Sequence, residues 1–414
     1  MARIAPFKGL RPKEQYAAEV ATLPYDVVSV AEARAFRKKP HNFYHVTRSE
    51  IDLIESVDVH SQVVYDRAKE NLDQMIADGI MVQDKEPCYY IYELVMDGRS
   101  QTGLICGSSC DDYFNGIVKK HEFTRPEKEL DRINHIKTTR AETGIVFLAY
   151  NDQENVEAMI ADWKANHKPT YDFVAEDGIR HIFWVMDDYG KVATITRLFA
   201  EEVPCTYIAD GHHRAASAGK VCMELREAGM SITGEESFNY FVTCIFPAGQ
   251  LQIMDYNRVV KDLNGLSAAQ FLQALDHKFE VTAIGATEPY KPQQPHEFGL
   301  YLDENWYRLV AKPGTFTEDP IGVLDVSILQ TNVLSEILAI HDPRTDKRVD
   351  FVGGIRGLQE LEKRVNSGEM AAAFACYPVS IQQLFNIADS GNVMPPKSTW
   401  FEPKLRDGLV VYLI

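Results

Sequence analysis

Apolar residues recur along the chain at helical and strand spacings, with turn residues between the runs. The spacing over 63–77 predicts an amphipathic helix that ends before Gly79, a typical helix-terminating residue. The apolar runs 89–95 and 101–108 flank an Asp-Gly pair, which predicts a β-hairpin. Further strands are predicted at 4–7, 144–150, 181–186, 203–209, 240–246, 298–302, 306–311 and 409–413. Further helices are predicted from 126 onward and at 155–166, 212–227, 323–340, 356–367 and 380–389.

Strands and helices that alternate in this way indicate an α/β or α+β fold with mixed sheets. A chain of 414 residues is long enough for two or three domains with cores of their own. We expect three regions, at 1–110, 111–265 and 266–414. The loop 394–408, which contains a Pro-Pro pair, is expected to return to the functional site.

Charge narrows the range of partners. The chain has 43 Lys and Arg against 60 Asp and Glu, a formal net charge of −17. Such a surface is a poor partner for nucleic acid or anionic membranes, since their binding depends on basic side chains. The sequence has no apolar run long enough for a membrane helix, no secretory signal at its start, and seven scattered cysteines. These features predict a cytoplasmic protein that handles a small molecule.

The most informative stretch is 203–214, where an apolar strand runs into a polar turn that opens a helix. The first turn of a helix has unpaired N–H groups and the positive end of the dipole, so it can hold a phosphate. Gly211 allows a ligand to approach the backbone, and Arg214 offers a planar fork for phosphate oxygens. His212 and His213 add donors, and Asp210 could bind Mg²⁺ or accept a hydroxyl proton.

A purely structural interpretation of this stretch is also open. Asp210 could be only the N-cap of the helix, and the two histidines could be its solvated first turn. The run from Gly211 to Lys220 is not a phosphate-binding Walker loop, because seven residues separate its glycines where four are needed. Four types of functional residue within five positions after a buried strand favour a functional turn.

Several longer strings carry a resemblance to a known family. They are RIAPFKGLRP at the start, LPYDVVS at 23–29, HEFT at 121–124, IADGHHR at 208–214, and MPPKSTWFEPKLRDGLVV at 394–411. With these strings the chain resembles, from end to end, the mostly prokaryotic family catalogued as domain of unknown function 1015. Members of that family are often described as related to the chromosome-partitioning ParB proteins.

The Asp-Gly-His-His-Arg turn is similar to the phosphate-binding turn of the ParB/sulfiredoxin superfamily, which handles nucleotide phosphates without a Walker loop. The resemblance implies a catalytic core at 111–265 and a phosphotransferase that uses ATP or ADP with Mg²⁺. Its most concrete form is a free L-serine kinase that produces O-phosphoserine. Two alternatives are a ParB-like nucleotide-hydrolysing switch and a non-catalytic protein that binds a phosphorylated metabolite. A homodimer is the expected oligomer.

Within this picture, Gly211, His212, His213 and Arg214 would cradle the nucleotide phosphates, and Asp210 would bind Mg²⁺ or the acceptor hydroxyl. An acidic protein that binds an anionic nucleotide must also concentrate positive charge at the site. The cations that we expect to converge there are Arg214, Arg132, Arg258 and Lys397.

Two acidic residues complete the set of candidates. Asp26 is a candidate general base or metal ligand, although an Asp after Pro24-Tyr25 could equally be a turn residue. Glu122, in the HEFT string, is a further candidate catalytic residue. One departure weakens the resemblance, because Asn257 stands where the family pattern leads us to expect a histidine, beside the retained Arg258.

Overall fold

The computed structural model describes residues 1–286 and 288–414, and it interleaves helices with strands along the chain. The strands are β1 (Ile4–Ala5), β2 (Leu10–Pro12), β3 (Met81–Gln83), β4 (Tyr89–Met96), β5 (Arg99–Ser109), β6 (Val118–Lys119), β7 (Ala141–Glu142), β8 (Val146–Tyr150), β9 (Tyr171–Val174), β10 (Arg180–Met186), β11 (Thr206–Asp210), β12 (Tyr240–Pro247), β13 (Ile253–Met254), β14 (Tyr256–Val260), β15 (Phe279–Gly285), β16 (Glu297–Leu302), β17 (Asn305–Ala311), β18 (Val349–Gly353), β19 (Ala372–Cys376), β20 (Trp400–Phe401) and β21 (Tyr412–Leu413). The helices are α1 (Ala17–Val20), α2 (Val30–Arg34), α3 (Tyr44–Thr47), α4 (Gln62–Ala77), α5 (Cys110–Phe114), α6 (Pro126–Thr139), α7 (Glu154–Asn166), α8 (Tyr189–Glu202), α9 (His212–Glu227), α10 (Ala268–Leu275), α11 (Asp325–Leu329), α12 (Leu358–Asn366) and α13 (Ile381–Asp389). The mixed α and β class with mixed sheets, predicted from the sequence, is confirmed.

The chain forms two units, and the second is inserted within the first. The large unit comprises Met1–Leu251 and Pro403–Ile414, and the small unit comprises Gln252–Glu402. This grouping differs from the three regions expected from the sequence. Regions 1–110 and 111–265 share one sheet, because β5, from the first region, pairs with β12, from the second, along most of the length of β12.

A nine-stranded sheet organises the large unit. Its strand order is β6-β11-β8-β12-β5-β4-β10-β9, and β1 pairs with β5 outside this path. The central strands β8 and β12 run parallel and are buried along their whole length, which explains their continuous apolar sequences. Side chains of α7, α8 and α9 join those of the sheet in one apolar core. Strand β11, which leads into α9, lies between β6 and β8.

The small unit has a sheet and a core of its own. Six strands pair antiparallel in the order β15-β17-β16-β19-β14-β18. Phe271 and Leu275 of α10 and Ile328 of α11 pack with Phe298 and Phe374 of the sheet. Within the residues that the structure describes, no helix is long and apolar enough to cross a membrane.

The last twelve residues of the chain are built into the large unit. Val411 pairs with Leu10, Asp407 pairs with Thr22, and β21 pairs with β7. Gly408 has a φ of +88° in this segment, and a Cβ atom at this position would lie 2.8 Å from Cγ of Phe43. The segment is therefore fixed by backbone pairing and by close packing at a glycine.

The packing at Gly408 predicts how the segment responds to an added methyl group. In Gly408→Ala, a left-handed backbone strain of about 1–2 kcal/mol adds to an overpacking cost of about 1–3 kcal/mol. Gly98→Ala is the matched control, since Gly98 also has a positive φ, of +76°, but nothing lies within 4 Å of its added Cβ. Denaturant unfolding of both variants measures the difference, and an equal loss of stability in the two would contradict the close packing at Gly408.

Candidate functional site

The junction between β11 and α9 has the strand–turn–helix form that the sequence predicted. Asp210 is the last residue of β11, Gly211 is the N-cap of α9, and His212 begins the helix. Gly211 has a φ of +98°, and an added Cβ would lie 3.0 Å from Cζ of Arg214. A glycine is needed here both for the left-handed turn and for the close approach of the arginine.

Arg214 lies beneath this turn with only 7% of its surface exposed. One Nη donates to the carbonyl of Ile145, the other lies 3.7 Å from a carboxylate oxygen of Asp210, and Nε has no hydrogen-bond partner. Burial alone would lower the pKa of Arg214, but the negative charges around it, above all those of Asp26 and Asp210, outweigh burial and hold the pKa above its usual value. The guanidinium is therefore charged and has one buried donor unused.

Asp210 is ionised and is held by two cations. Nζ of Lys404 lies 3.1 Å from one carboxylate oxygen, and the guanidinium of Arg214 lies 3.7 Å from the other. Burial would raise the pKa of Asp210, but Lys404 and Arg214 lower it well below its usual range. Lys404 was not among the sequence candidates, although it stands in the C-terminal string that resembles the family.

The expected Mg²⁺ does not fit Asp210 as the residues stand. Each carboxylate oxygen already faces a cation, whereas Mg²⁺ is normally held by free carboxylates together with water and phosphate oxygens. In the part of the chain that the structure describes, no group of three or more His, Cys, Asp or Glu side chains is arranged to hold a metal. We therefore derive no chemical step through a metal at Asp210.

The two histidines of the turn are neutral rather than cationic. Burial lowers the pKa of His212 to about 3, and its Nε2 accepts the backbone N–H of His121 at 3.4 Å. Its Nδ1 must then carry the proton, and this atom lies 3.8 Å from the carboxylate of Glu122. Burial also lowers the pKa of His213, whose Nε2 accepts the backbone N–H of Arg125 at 3.0 Å. The histidines fix the start of α6 and the HEFT string against α9.

A cavity of about 460 Å³ lies in the large unit and brings together Asp26, Arg132 and residues from α3, α4 and α6. A smaller cavity, of about 20 Å³, shares Tyr25, Arg132 and His135 with it and is also lined by Arg214. The side chains that line the larger cavity carry both signs of charge; they include Asp26, Arg48, Glu50, His60, Glu127, Lys128, Asp131 and Arg132.

Arg132 and Tyr25 form the boundary between these two cavities. The Arg132 guanidinium donates two hydrogen bonds to Asp131, at 2.9 and 2.7 Å, and lies 4.0 Å from the centre of the Tyr25 ring. Burial raises the pKa of Tyr25 to about 12, so the ring stays neutral. Arg132 is therefore charged, and part of its charge is satisfied by Asp131.

Asp407 is a second residue of this site that the sequence candidates did not include. Its side chain is only 1% exposed, and one of its carboxyl oxygens has no hydrogen-bond partner. Its sequence signal was present, because Asp407 stands three residues after Lys404 in the same string. A single sequence does not show that this string folds onto the β11–α9 turn.

The two remaining candidate cations, Arg258 and Lys397, belong to the small unit. Arg258 is buried and donates a hydrogen bond to the carbonyl of Pro396 at 3.4 Å. Lys397 is exposed, and its Nζ lies 5.7 Å from the centre of the Tyr256 ring. Asn257 accepts the backbone N–H of Cys376. The convergence of Arg258 and Lys397 with Arg214 stays a prediction.

Comparison with solved structures finds similar chains at low identity. A mutant free serine kinase in complex with AMP is 12% identical, with a TM-score of 0.37, over 74% of this chain and 91% of that one. A conserved hypothetical protein from Pyrococcus furiosus is 14% identical, with a TM-score of 0.35, over 75% and 95%. SbnI with a C-terminal truncation, from Staphylococcus aureus, is 10% identical, with a TM-score of 0.32, over 75% and 87%.

None of the curated proteins that were compared matches the chain. The model of one protein family does match, and it is described as a protein of unknown function, DUF1015. The match covers residues 4–327 and so includes the β11–α9 turn, Asp26, Glu122 and Arg132. Because this match spans most of the chain, the protein belongs to the DUF1015 family, as the strings in its sequence indicated.

Proposed function

We propose that this protein is a nucleotide-dependent phosphotransferase that acts on a small hydroxyl acceptor, with ATP or ADP as the donor. The observation that carries the proposal is the buried Arg214 guanidinium at the start of α9, with its Nε unused. A desolvated cation beside the free N–H groups of a helix start is a strong site for a phosphate group. Lys404, on the far side of Asp210, adds a second buried cation.

The phosphate subsite would use the backbone N–H groups of Gly211, His212 and His213 together with the side chains of Arg214 and Lys404. Because both histidines are neutral, the positive charge comes from the arginine and the lysine. Asp210 holds these two cations in place, which is a positioning role. Phosphoryl transfer depends on such preorganised charge, since the equatorial phosphate oxygens carry negative charge throughout the reaction.

The acceptor subsite would be the cavity of about 460 Å³ beside Asp26 and Arg132. Its walls carry carboxylates and basic groups together, which suits a zwitterion that has an ammonium and a carboxylate group. L-serine, the acceptor that the family resemblance implies, has both groups and a hydroxyl. Arg132 lines both this cavity and the smaller cavity that Arg214 lines, so it connects the acceptor subsite with the phosphate subsite.

In this proposal, Asp26 is the general base. Its carboxylate is exposed at the wall of the cavity, and it lies close enough to Arg214 to raise the pKa of the arginine. The acceptor hydroxyl gives its proton to Asp26 while its oxygen forms a bond to the terminal phosphorus. The bond from that phosphorus to the bridging oxygen breaks, so the nucleotide leaves with one phosphate fewer. Glu122 faces His212 at 3.8 Å and would position the turn rather than touch the acceptor.

A product assay separates this function from its two alternatives. The pure protein is incubated with ATP or ADP, Mg²⁺ and a panel of amino acids, and the products are separated by chromatography. O-phosphoserine is the expected product. Nucleotide hydrolysis without a phosphorylated acceptor would support the nucleotide-dependent switch instead. Thermal stabilisation by phosphate esters without any turnover would support a metabolite-binding protein.

Removal of the central cation tests the phosphate subsite. Arg214→Ala is expected to lower turnover by at least about 100-fold, or about 2.7 kcal/mol, because a preorganised charge is lost. Arg226→Ala is the matched control on the same helix, since Arg226 pairs with Asp111 and Asn239 near the other end of α9. Steady-state kinetics of both variants gives the comparison, and an unchanged turnover of Arg214→Ala would refute the assignment.

Removal of the proposed base separates chemistry from binding. Asp26→Asn is expected to lower kcat by about 10²–10⁴-fold, while the affinity for the nucleotide changes little. Asp66→Asn serves as the control, because Asp66 is an exposed residue of α4 that accepts a hydrogen bond from Gln62. Kinetics and calorimetric titration with ADP check both variants. A large loss of ADP affinity without a loss of kcat would contradict the role of a base.

A further inference from the structure

Asp407 lies behind the proposed phosphate subsite in a fixed position. Its backbone N–H donates to the carbonyl of Thr22 at 2.9 Å, and its own carbonyl accepts the N–H of Thr22 at 3.1 Å. A Cβ added to Gly144 would lie 3.1 Å from Cδ of Arg214 and 3.6 Å from one carboxyl oxygen of Asp407. The missing side chain at Gly144 thus lets the arginine stem and the carboxyl approach the same point.

The carboxyl group of Asp407 is nevertheless not used as an ion-pair partner. Among the described residues, no cation lies within 4 Å of it; the backbone N–H of Tyr25 donates a hydrogen bond to the carboxyl, but its Oδ2 has no hydrogen-bond partner. Arg214 already has Asp210 and Asp26 as negative neighbours. The charged and titratable groups that face Asp407 come from four elements; they are Arg214 of α9, Arg132 of α6, Tyr44 of α3, and Tyr25 and Asp26 of the loop before α2.

A third negative charge at Arg214 would oppose the binding of phosphate there. A buried carboxylate that has no ion-pair partner is also costly, whereas the neutral acid costs much less. We propose that Asp407 is a positioning residue of the phosphate subsite and acts as a neutral carboxylic acid, which shapes the pocket of Arg214 without neutralising its charge. This inference rests on the proposed phosphate role of Arg214.

The environment of Asp407 agrees with this state. Burial, assisted by the negative charge of Asp26, raises the pKa of Asp407 to about 8, against the opposing effect of Arg214. The carboxyl is then mostly protonated at neutral pH and ionises as the pH rises through about 8. Above that pH, its charge would compete with the nucleotide phosphates for Arg214.

The test measures ADP affinity by calorimetry at several pH values between 6.5 and about 9. In the wild-type protein, affinity is expected to fall on the order of tenfold across this range, because a negative charge appears near the phosphates. Asp407→Asn keeps the shape of the neutral acid and cannot ionise, so its affinity is expected to match the wild type at pH 6.5 and to stay level. A parallel fall in both proteins would overturn the inference.

A second readout does not depend on the ligand. A carboxyl whose folded pKa is raised stabilises the fold most at low pH, and that contribution is lost as the pH rises toward the folded value. The melting temperature of Asp407→Asn, minus that of the wild type, should therefore increase between pH 5 and 8. A difference that stays constant with pH would overturn the inference, since Asp407 would then titrate normally.

Asp325→Asn is the matched control for both measurements, because Asp325 belongs to the small unit and does not line the cavities at Arg214. Burial raises the pKa of Asp325 to about 7, its Oδ2 also has no hydrogen-bond partner, and its Oδ1 accepts the backbone N–H of His296 at 2.8 Å. The control should show the same pH trend in melting temperature and the wild-type pH trend in ADP affinity. Asp407→Ala, which also lacks the charge, replaces Asp407→Asn if the latter does not fold.

The outcomes also separate the inference from the proposed function. If no form of the protein binds ADP at any pH, the proposed function fails and this inference fails with it. If ADP binds to the wild type and Arg214→Ala abolishes that binding, the proposed phosphate subsite is supported. Identical pH profiles for the wild type and Asp407→Asn would then refute the role of Asp407 alone.

Discussion

The arrangement of the site depends on one buried cation, the guanidinium of Arg214. Removing an arginine from water is unfavourable unless charges and hydrogen bonds replace its hydration. Here the carboxylate of Asp210 and the carbonyl of Ile145 do so, and they come from the end of β11 and from the residue that precedes β8. These two strands are neighbours in the sheet, so the hydrogen bonds between them fix the positions of both partners of the arginine.

The partners around Arg214 do not replace all of the hydration that the guanidinium loses on burial, so the site retains a capacity to bind an anion. One donor of the guanidinium has no partner, Lys404 adds a further cation, and the two histidines stay neutral. A protein with a net charge of −17 thus holds two buried cations, Arg214 and Lys404, at the start of one helix, where little water screens their charges. The net charge therefore affects which macromolecules the surface can bind, whereas a few buried groups determine which small ligand the site can bind.

Much of the large unit was predictable from sequence because its signals are local. The helix at 212–227 and the hairpin of β4 and β5 follow from apolar spacing and turn residues within each segment. Helix α8, at Tyr189–Glu202, was not predicted, and neither were several short strands of the small unit, including β14, β18 and β19. Strands of about five residues depend on neighbours that are distant in sequence, so their own residues carry little signal.

The same distinction applies within the site. The turn at 210–214 was found because its residues are adjacent, and the fold class followed from the element pattern. Lys404 and Asp407 were missed because their contacts span almost two hundred residues or more, to Asp210 and to the neighbourhood of Arg214 and Thr22. For Mg²⁺ the sequence predicted too much, because it shows Asp210 but not the two cations, Lys404 and Arg214, that face its carboxylate oxygens.

The insertion of the small unit has a consequence for the biosynthesis of the protein. The large unit begins at Met1, but Lys404 and Asp407 stand within the last eleven residues of the chain. Domains generally fold as they emerge during synthesis, starting from the N-terminal end. The Asp210–Lys404 pair and the Thr22–Asp407 pairing cannot form until residues 404–407 have been synthesised, and these follow the whole of the small unit in the chain. The β11–α9 turn therefore acquires Lys404 and Asp407 only after the small unit has been made.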